Sequence, residues 1–458
     1  MVKRQNVPHG SGTRRSPLGV VEIILRHRTQ NAFAYGNVRD DMAWETDRIV
    51  GPDGQDWRVP VSELEARQTR LSRKLAENGI ESILIDDPVE LYWLTGGRQN
   101  SLLLIGSDDS KIENTHWVRR SKKRAIFESG GGNSPHITEA HPRMANLEES
   151  LVEAGCTRKP GLLEGKIPHS RWIFVNSKMP DIPGESQDCT NLLYELREVK
   201  SDWEVAMIRE SGEINRTMFE EIHNSGGLGK TEVEMAGLAD AISRSAGFGG
   251  RIRMRKWPMD CDRVVITAGH SGAIPSYFDS AVGGLGASPI SSLGAGFAKV
   301  EEGQPVLVDI VHVHTGYVSD CTRMFCAGKM PDRWANLLDD MIEISNELTD
   351  SLAKGDECST AWGKGSEMIA EMGHSENLMG MPPNQAKFLG HSVGLELDET
   401  PVIAKGFDRS LPLSGIMAIE PKLVFDDGAI GIEDTWVRTE DGMHCLTAGE
   451  NFPMISEW

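Results

Sequence analysis

Apolar positions along this chain recur with two different periods. From Val61 onward, Leu64, Leu71 and Leu75 repeat at helical spacing until Asn78-Gly79, with Ser62 as the expected N-cap. IESILID then reads as a buried strand and VELYWLTG as a short helix entering a turn. Further strands are predicted at Ser101 to Ile105 and around Trp117-Val118 and Ala125-Ile126, then a helix from Asn146 to Ala154. This alternation predicts an α/β domain over 59–195. LYELREVKSDWEVAMIRESGEINRTMFEEI, 193–222, has apolar residues at helical intervals and reads as the interdomain connection leading into a long helix. Lys230 to Ala246 repeats the pattern, with Thr231 as its cap. From Arg263 strands and glycine-rich turns dominate, with helices near 333–354 and 360–372, which predicts an α+β domain over 196–458. Residues 1–58 are polar with short apolar runs and read as an extension, packed on a neighbour or partly disordered.

Two stretches of the second domain change this picture from architecture to chemistry. VLVDIVHVHTGYVSDCTRMF, 306–325, reads as two strands around a His314-Thr315-Gly316 centre. Folding it at His314-Thr315 lays Asp309 across from Asp320. IEPKLVFDDGAIGIED repeats the arrangement, with Glu420 and Glu433 symmetric about the Asp426-Asp427 turn. Opposed carboxylates repel unless a positive charge lies between them, so two such hairpins point to a shared cation.

Composition narrows the function classes. A chain of 458 residues exceeds one ordinary core and is expected to form two or three domains. A formal net charge of -20 argues against nucleic acid or an anionic membrane as the principal partner. The seven cysteines are scattered without a C-x-x-C pair, which indicates neither a disulfide framework nor a thiolate zinc site. With no apolar run near the ~20 residues of a membrane span, the expected location is the cytoplasm. The basic cluster Arg119, Arg120, Lys122, Lys123, Arg124 reads as a solvated strand edge rather than a phosphate patch. VGGLGASPISSLGAG, 282–296, lacks the Gly-Lys-Ser/Thr ending of a phosphate loop and reads as a structural loop near the site.

Gly390-His391-Ser392, after the expected strand AKFLG, adds an imidazole to the four acids. At this point the chain resembles the pita-bread metallohydrolases: methionine aminopeptidase, aminopeptidase P, prolidase and creatinase. The segments that carry the resemblance are VLVDIVHVHTGYVSDCTRMF, FLGHSVGLELDETP, MAIEPKLVF and GIEDTWVRTEDG, in the family's order, with LREVKSDWEVAMIRES similar to the helix opening its catalytic domain. The resemblance covers roughly 60–456 and implies a creatinase-like N-terminal α/β domain, a pita-bread catalytic domain and a homodimer. It also implies two divalent metals, with Asp309 chelating the first, Asp320 and Glu433 bridging both, and His391 with Glu420 completing the second. Hard oxygen donors with one imidazole suit manganese foremost, with iron, cobalt or zinc as alternatives. Glu420 is the expected proton shuttle. Thr322 and Arg323 are expected to orient Asp320, and Tyr317 is a candidate for substrate contact or packing.

The chain departs from prolidase and aminopeptidase P at two substrate histidines. Ser276 stands in place of one and Asp398 in place of the other, in Asp398-Glu399-Thr400-Pro401. Neither can donate to an oxyanion as an imidazolium does. Asp398 is left as a substrate anchor or general base. His312 and His314 share a face opposite Asp309 by alternation, so His270 is the histidine offered in compensation. The expected activity is metal-dependent hydrolysis of a peptide or amide bond in a short peptide or other small molecule, of Xaa-Pro type with altered specificity. A carbon-sulfur lyase resembling dimethylsulfoniopropionate lyase, with Asp398 as base, and a non-catalytic pita-bread binding protein are the alternatives.

Overall fold

The computed structural model describes residues 51, 54, 56–256 and 259–458. The predicted extension over 1–58 therefore falls almost wholly outside the described residues.

The first unit opens with helix α1 (Val61–Glu77), whose Leu64, Leu71 and Leu75 are fully buried. Pro60, not Ser62, precedes its first turn. Strand β1 (Ser82–Ile85) leads to helix α2 (Pro88–Thr95), where the Asp87 side chain accepts from the amides of Val89 and Glu90 and Gly96 closes the end left-handed. Strands β2 (Ser101–Gly106) and β3 (Thr115–Val118) follow. Ala125-Ile126, expected as a strand, lies instead in helix α3 (Lys122–Glu128), capped by Ser121. The basic cluster therefore begins a helix rather than edging a strand. After β4 (Ile137–Ala140) come helices α4 (Leu147–Glu153) and α5 (His169–Asn176). The sheet order is β1-β2-β3-β4, with the last pair parallel.

The connection over 193–222 is made by helix α6 (Thr190–Glu198) and leads into the expected long helix, α7 (Asp202–Ser225). They break at Val199 because Ser201 and Glu204 form a capping box that starts a new helix. Helix α8 (Glu232–Ser245) begins with a second capping box on Thr231 and Glu234. Strands β5 (Val264–Ala268), β6 (Val306–His314) and β7 (Tyr317–Cys326) form a sheet against which α7 and α8 pack. Helices α9 (Asp332–Lys354) and α10 (Cys358–Glu371) precede β8 (Phe388–Ser392), β9 (Glu399–Ala404) and β10 (Ile416–Ile419). Strands β11 (Lys422–Phe425) and β12 (Gly428–Gly431) form the second predicted hairpin, joined at Asp426-Asp427. Strands β13 (Asp434–Thr439), β14 (Gly442–Cys445) and β15 (Ile455–Glu457) complete the unit. Its sheets run β14-β13-β10-β8-β9 and β15-β7-β6-β5. An α/β unit is thus followed by an α+β unit, as the alternation predicts.

The two units share a core and a buried ionic cluster. Leu71, Leu75 and Trp93 of the first pack with Ile208, Val311 and Tyr317 of the second. Lys166 is paired with Glu90 at 2.7 Å, Glu396 at 3.1 Å and Asp87 at 3.3 Å. Arg197 is paired with Glu90 at 2.5 Å, Glu396 at 3.1 Å and Glu399. Lys200 lies 3.2 Å from Glu399, and Arg255 lies 3.1 Å from Glu396. The four acids and four bases balance, which is what lets so many charges leave water.

Candidate metal centre

The hairpin β6–β7 turns at Thr315-Gly316, both at positive φ (48° and 98°), the backbone of a type I′ turn. A turn one residue later than the His314-Thr315 expectation places Asp309 opposite Thr322 and Asp320 opposite Val311. The two aspartates are therefore diagonal rather than directly opposed, but on one face. The two sheets meet at their base: the Thr322 amide donates to the Glu433 carbonyl at 3.1 Å and the Glu433 amide to Thr322 at 3.3 Å. His391 pairs with Ala418 across β8 and β10, two residues before Glu420. Asp309, Asp320, His391, Glu420 and Glu433 all line one pocket of about 380 Å³, with Val265, Phe278 and Leu397 among its apolar walls.

His391 Nε2 is 3.2 Å from Glu420 Oε1 and 3.9 Å from both Asp320 Oδ2 and Glu433 Oε1. Asp320 Oδ1 and Glu433 Oε1 are buried without a hydrogen-bond partner. Buried orphan oxygens facing an imidazole are what a bound cation would satisfy, and Asp320, His391 and Glu433 offer ligand atoms within 4.8 Å of one another. These residues fit a divalent ion.

The remaining oxygens have a different occupant. Lys422, two residues beyond Glu420 on β11, puts Nζ 2.7 Å from Glu420 Oε2, 2.8 Å from Glu433 Oε2 and 3.2 Å from Asp309 Oδ2. Sequence reasoning missed it, although strand alternation puts residues 420 and 422 on one face.

The electrostatics follow from this crowding. Burial disfavours the Lys422 ammonium, but Asp309, Glu420 and Glu433 more than reverse that and hold it charged well above its ordinary range. Burial, then Glu433 and Asp309, push Asp320 far above the usual carboxylate range. Glu433 rises through burial and Glu420. Glu420 goes the other way: against burial, Lys422 and His391 keep it ionised. Burial disfavours protonated His391, yet Glu420 and Glu433 raise it to about 9. The crowded acids are thus relieved by Lys422, by a protonated His391 and by the upward shifts of Asp320 and Glu433, protons that a bound divalent cation would displace.

Arg323, fully buried, donates to the Glu433 carbonyl at 3.0 Å and to both Asp434 oxygens at 2.9 Å, which fixes Glu433 more directly than Asp320. The Thr322 hydroxyl donates to Glu433 Oε2 at 3.1 Å. Asp398 lines the pocket, but its Oδ1 accepts from the Arg255 amide at 2.5 Å and its Oδ2 from the Lys256 amide at 2.9 Å. It staples a wall segment. Ser276 lies outside the lining residues, its hydroxyl accepting from the Phe278 amide at 3.3 Å. Tyr317 is buried away from the pocket, donating to Glu204 at 2.7 Å. His270 is exposed, with Nδ1 2.6 Å from the Asp426 carbonyl, and is not brought to the site. His312 is buried on Ser243 and His314 packs on Trp57, so among the described residues no histidine takes the place of the two that are missing.

Residues 206–440 match the profile of metallopeptidase family M24, and 67–199 match the creatinase/prolidase N-terminal domain. The chain is 23% identical over 394 residues to an Xaa-Pro dipeptidase of Pyrococcus furiosus, covering 84% of this chain and 99% of that one. Solved structures with the same fold include an X-Pro aminopeptidase from Thermotoga maritima (TM-score 0.68, 20% identity, 84% and 100% covered). An Xaa-Pro dipeptidase from Bacillus anthracis is similar to the same degree (TM-score 0.70, 20% identity, 86% and 99% covered). With the profile spanning half the chain and the acidic-histidine constellation gathered at the base of its pocket, this protein belongs to metallopeptidase family M24.

Proposed function

We propose that this protein is a metal-dependent hydrolase of peptide or amide bonds, an Xaa-Pro-type dipeptidase or aminopeptidase with altered specificity. The observation that carries it is the convergence of Asp320, His391, Glu420 and Glu433 beneath the pocket, two of them with unpartnered buried oxygens. Asp320, His391, Glu420 and Glu433 would hold a divalent cation, which when bound would supply Lewis-acid activation of water and of the scissile carbonyl. Glu420, kept ionised by Lys422, is the carboxylate that accepts the water's proton and returns it to the leaving amine. The apolar walls hold the substrate side chains and exclude bulk water. Asp398 positions the segment carrying Arg255 and Lys256 instead of touching the reacting atoms. With Ser276 outside the lining and no replacement histidine among the described residues, recognition of the residue after the scissile bond rests on the apolar wall. The lyase alternative needs a free carboxylate at 398, and both Asp398 oxygens are engaged.

The same reading extends to manganese as the resident ion, a homodimer, a cytoplasmic location and a division near residue 195 between a creatinase-like and a pita-bread domain. Hard donors support the first, and the two adjoining profile matches support the last. No helix among the described residues is long and apolar enough to cross a membrane. The test is hydrolysis by the purified full chain, supplied with Mn²⁺ or Co²⁺, across Xaa-Pro and general dipeptides and tripeptides. Turnover that disappears in His391→Ala is expected; no turnover of any peptide refutes the reading.

A further inference from the structure

The oxygens of this centre divide into two sets. Glu420 Oε2, Glu433 Oε2 and Asp309 Oδ2 surround Lys422 Nζ at 2.7–3.2 Å. Glu420 Oε1, Glu433 Oε1 and Asp320 Oδ2 instead lie 3.2–3.9 Å from His391 Nε2. Asp320, His391 and Glu433 hold ligand atoms within 4.8 Å of one another, close to the roughly 4.4 Å span of donors about 2.0–2.2 Å from one ion, and Glu420 Oε1 adjoins the imidazole at 3.2 Å, so a small inward shift lets the second set hold a single metal. The first set does not suit another: an ion at about 2.0–2.2 Å from those oxygens would overlap the ammonium they already hold.

Lys422 has nowhere obvious to withdraw. Its side chain is 2% exposed. Its stem lies over Gly431, its partner across β11–β12, where a Cβ would come within 2.5 Å of Lys422 Cγ. The same Cβ would also meet the Pro421 carbonyl at 2.7 Å and Lys422 Cα at 2.8 Å, so glycine at 431 lets the two backbones approach closely and leaves the space that the lysine stem fills. This packing is independent of the charges and holds the stem against the opposite strand.

We propose that Lys422 replaces one of the two metal ions of the centre, so that this chain carries a single divalent cation on Asp320, His391, Glu420 and Glu433 beside a built-in ammonium on Asp309, Glu420 and Glu433. The inference deepens the hydrolase reading and rests on it for the reaction, but not for the number of ions. Both carboxylates at the junction, Glu420 and Glu433, span the two cations with one oxygen each. The ammonium holds one charge where a metal would hold two, and offers no open coordination position. It can fix and neutralise, but it cannot bind water as a Lewis acid. Water activation therefore falls to one ion, and Asp309 changes from a ligand to the counter-ion of Lys422.

The experiment is metal stoichiometry on the intact chain. Protein loaded with excess Mn²⁺, freed of unbound ion and measured by inductively coupled plasma mass spectrometry, is expected to retain one ion per subunit. Its electron paramagnetic resonance spectrum should lack the signature of a spin-coupled pair. Lys422→Ala, which empties the ammonium position, should rise to two ions with a coupled spectrum, and Lys422→Arg should stay at one. Two ions or a coupled pair in the unaltered chain overturns the proposal, as does retention of none, or Lys422→Ala that folds and still holds one. If Lys422→Ala does not fold, the unaltered chain's stoichiometry and spectrum decide alone. Protein that holds one ion but hydrolyses no peptide refutes the hydrolase reading and leaves this inference standing.

Discussion

Replacing Glu399 by glutamine removes one charge from the centre of the buried interdomain cluster while keeping its shape. Glu399 Oε1 accepts from Arg197 and from the amides of Leu395 at 3.0 Å and Glu396 at 3.2 Å, and Oε2 accepts from Lys200 at 3.2 Å. Glutamine still accepts from the two amides, so the loss falls on the two charged donors. Hydrogen bonds to charged groups contribute about 1.5–3 kcal/mol each, and breaking a buried pair costs about 3–5 kcal/mol. Both routes give a destabilisation of about 3–5 kcal/mol for Glu399→Gln at neutral pH. The pH dependence has a definite sign. Burial favours the protonated acid, but Arg197, Lys200 and Arg255 hold Glu399 well below its ordinary 4.5. A depressed acid stabilises the fold above its unfolded pKa and loses that contribution as pH falls toward the folded value. The gap between the two proteins should be full above about pH 5 and shrink by about 1.4 kcal/mol per unit below the unfolded pKa. Urea unfolding followed by tryptophan fluorescence at neutral and acid pH measures both quantities. A neutral-pH difference under about 1 kcal/mol, against the 3–5 expected of a severed buried pair, refutes the reasoning, as does a difference that persists undiminished in acid.

Two further substitutions separate positioning from chemistry. Arg323→Lys loses the fork that grips both Asp434 oxygens and the Glu433 carbonyl, and should lower stability by about 2–3 kcal/mol and metal affinity by roughly 10–100-fold; thermal melts and a Mn²⁺ titration read the two effects. Asp398→Asn leaves one of the Arg255 and Lys256 amides without its carboxylate oxygen, at a cost of about 0.5–1.5 kcal/mol. Peptide turnover should stay within tenfold, whereas a loss of roughly 10²–10⁴ would make residue 398 a proton-transfer group.

Much of this architecture was legible because local and global signals agree. The Thr231 cap of α8, the Asn78-Gly79 end of α1 and the Asp426-Asp427 turn each satisfy a local rule that the fold also needs. Ala125-Ile126 misled because a seven-residue helix is too short to show its period. The β6–β7 register differs from the expected one because the turn is not centred between Asp309 and Asp320: backbone handedness puts Thr315 and Gly316 in it. Asp309, Asp320, His391, Glu420 and Glu433 line one pocket, while His270, offered only in compensation for a missing imidazole, lies outside it. Lys422 escaped notice because a lone lysine between apolar residues resembles a strand's exposed edge. Its burial is a tertiary fact, created by acids from three separate segments.

The tip of the β6–β7 hairpin bears on how separable the two halves of the chain are. Tyr92 of α2 donates to the Thr315 carbonyl, Arg67 of α1 donates to the Tyr317 hydroxyl at 3.1 Å, and a Cβ on Gly316 would come within 2.9 Å of the Tyr92 ring. The strands that present Asp309 and Asp320 are thus bolted at their far end to the preceding unit, and Glu204 lies beneath that bolt, accepting from Trp93 at 3.0 Å. The two profile matches adjoin near residue 200 as if the chain could be cut there. Such a cut would strand a buried carboxylate and leave the aspartate-bearing strands with one free end. In this chain a boundary between sequence modules is not a line along which the machine can be taken apart.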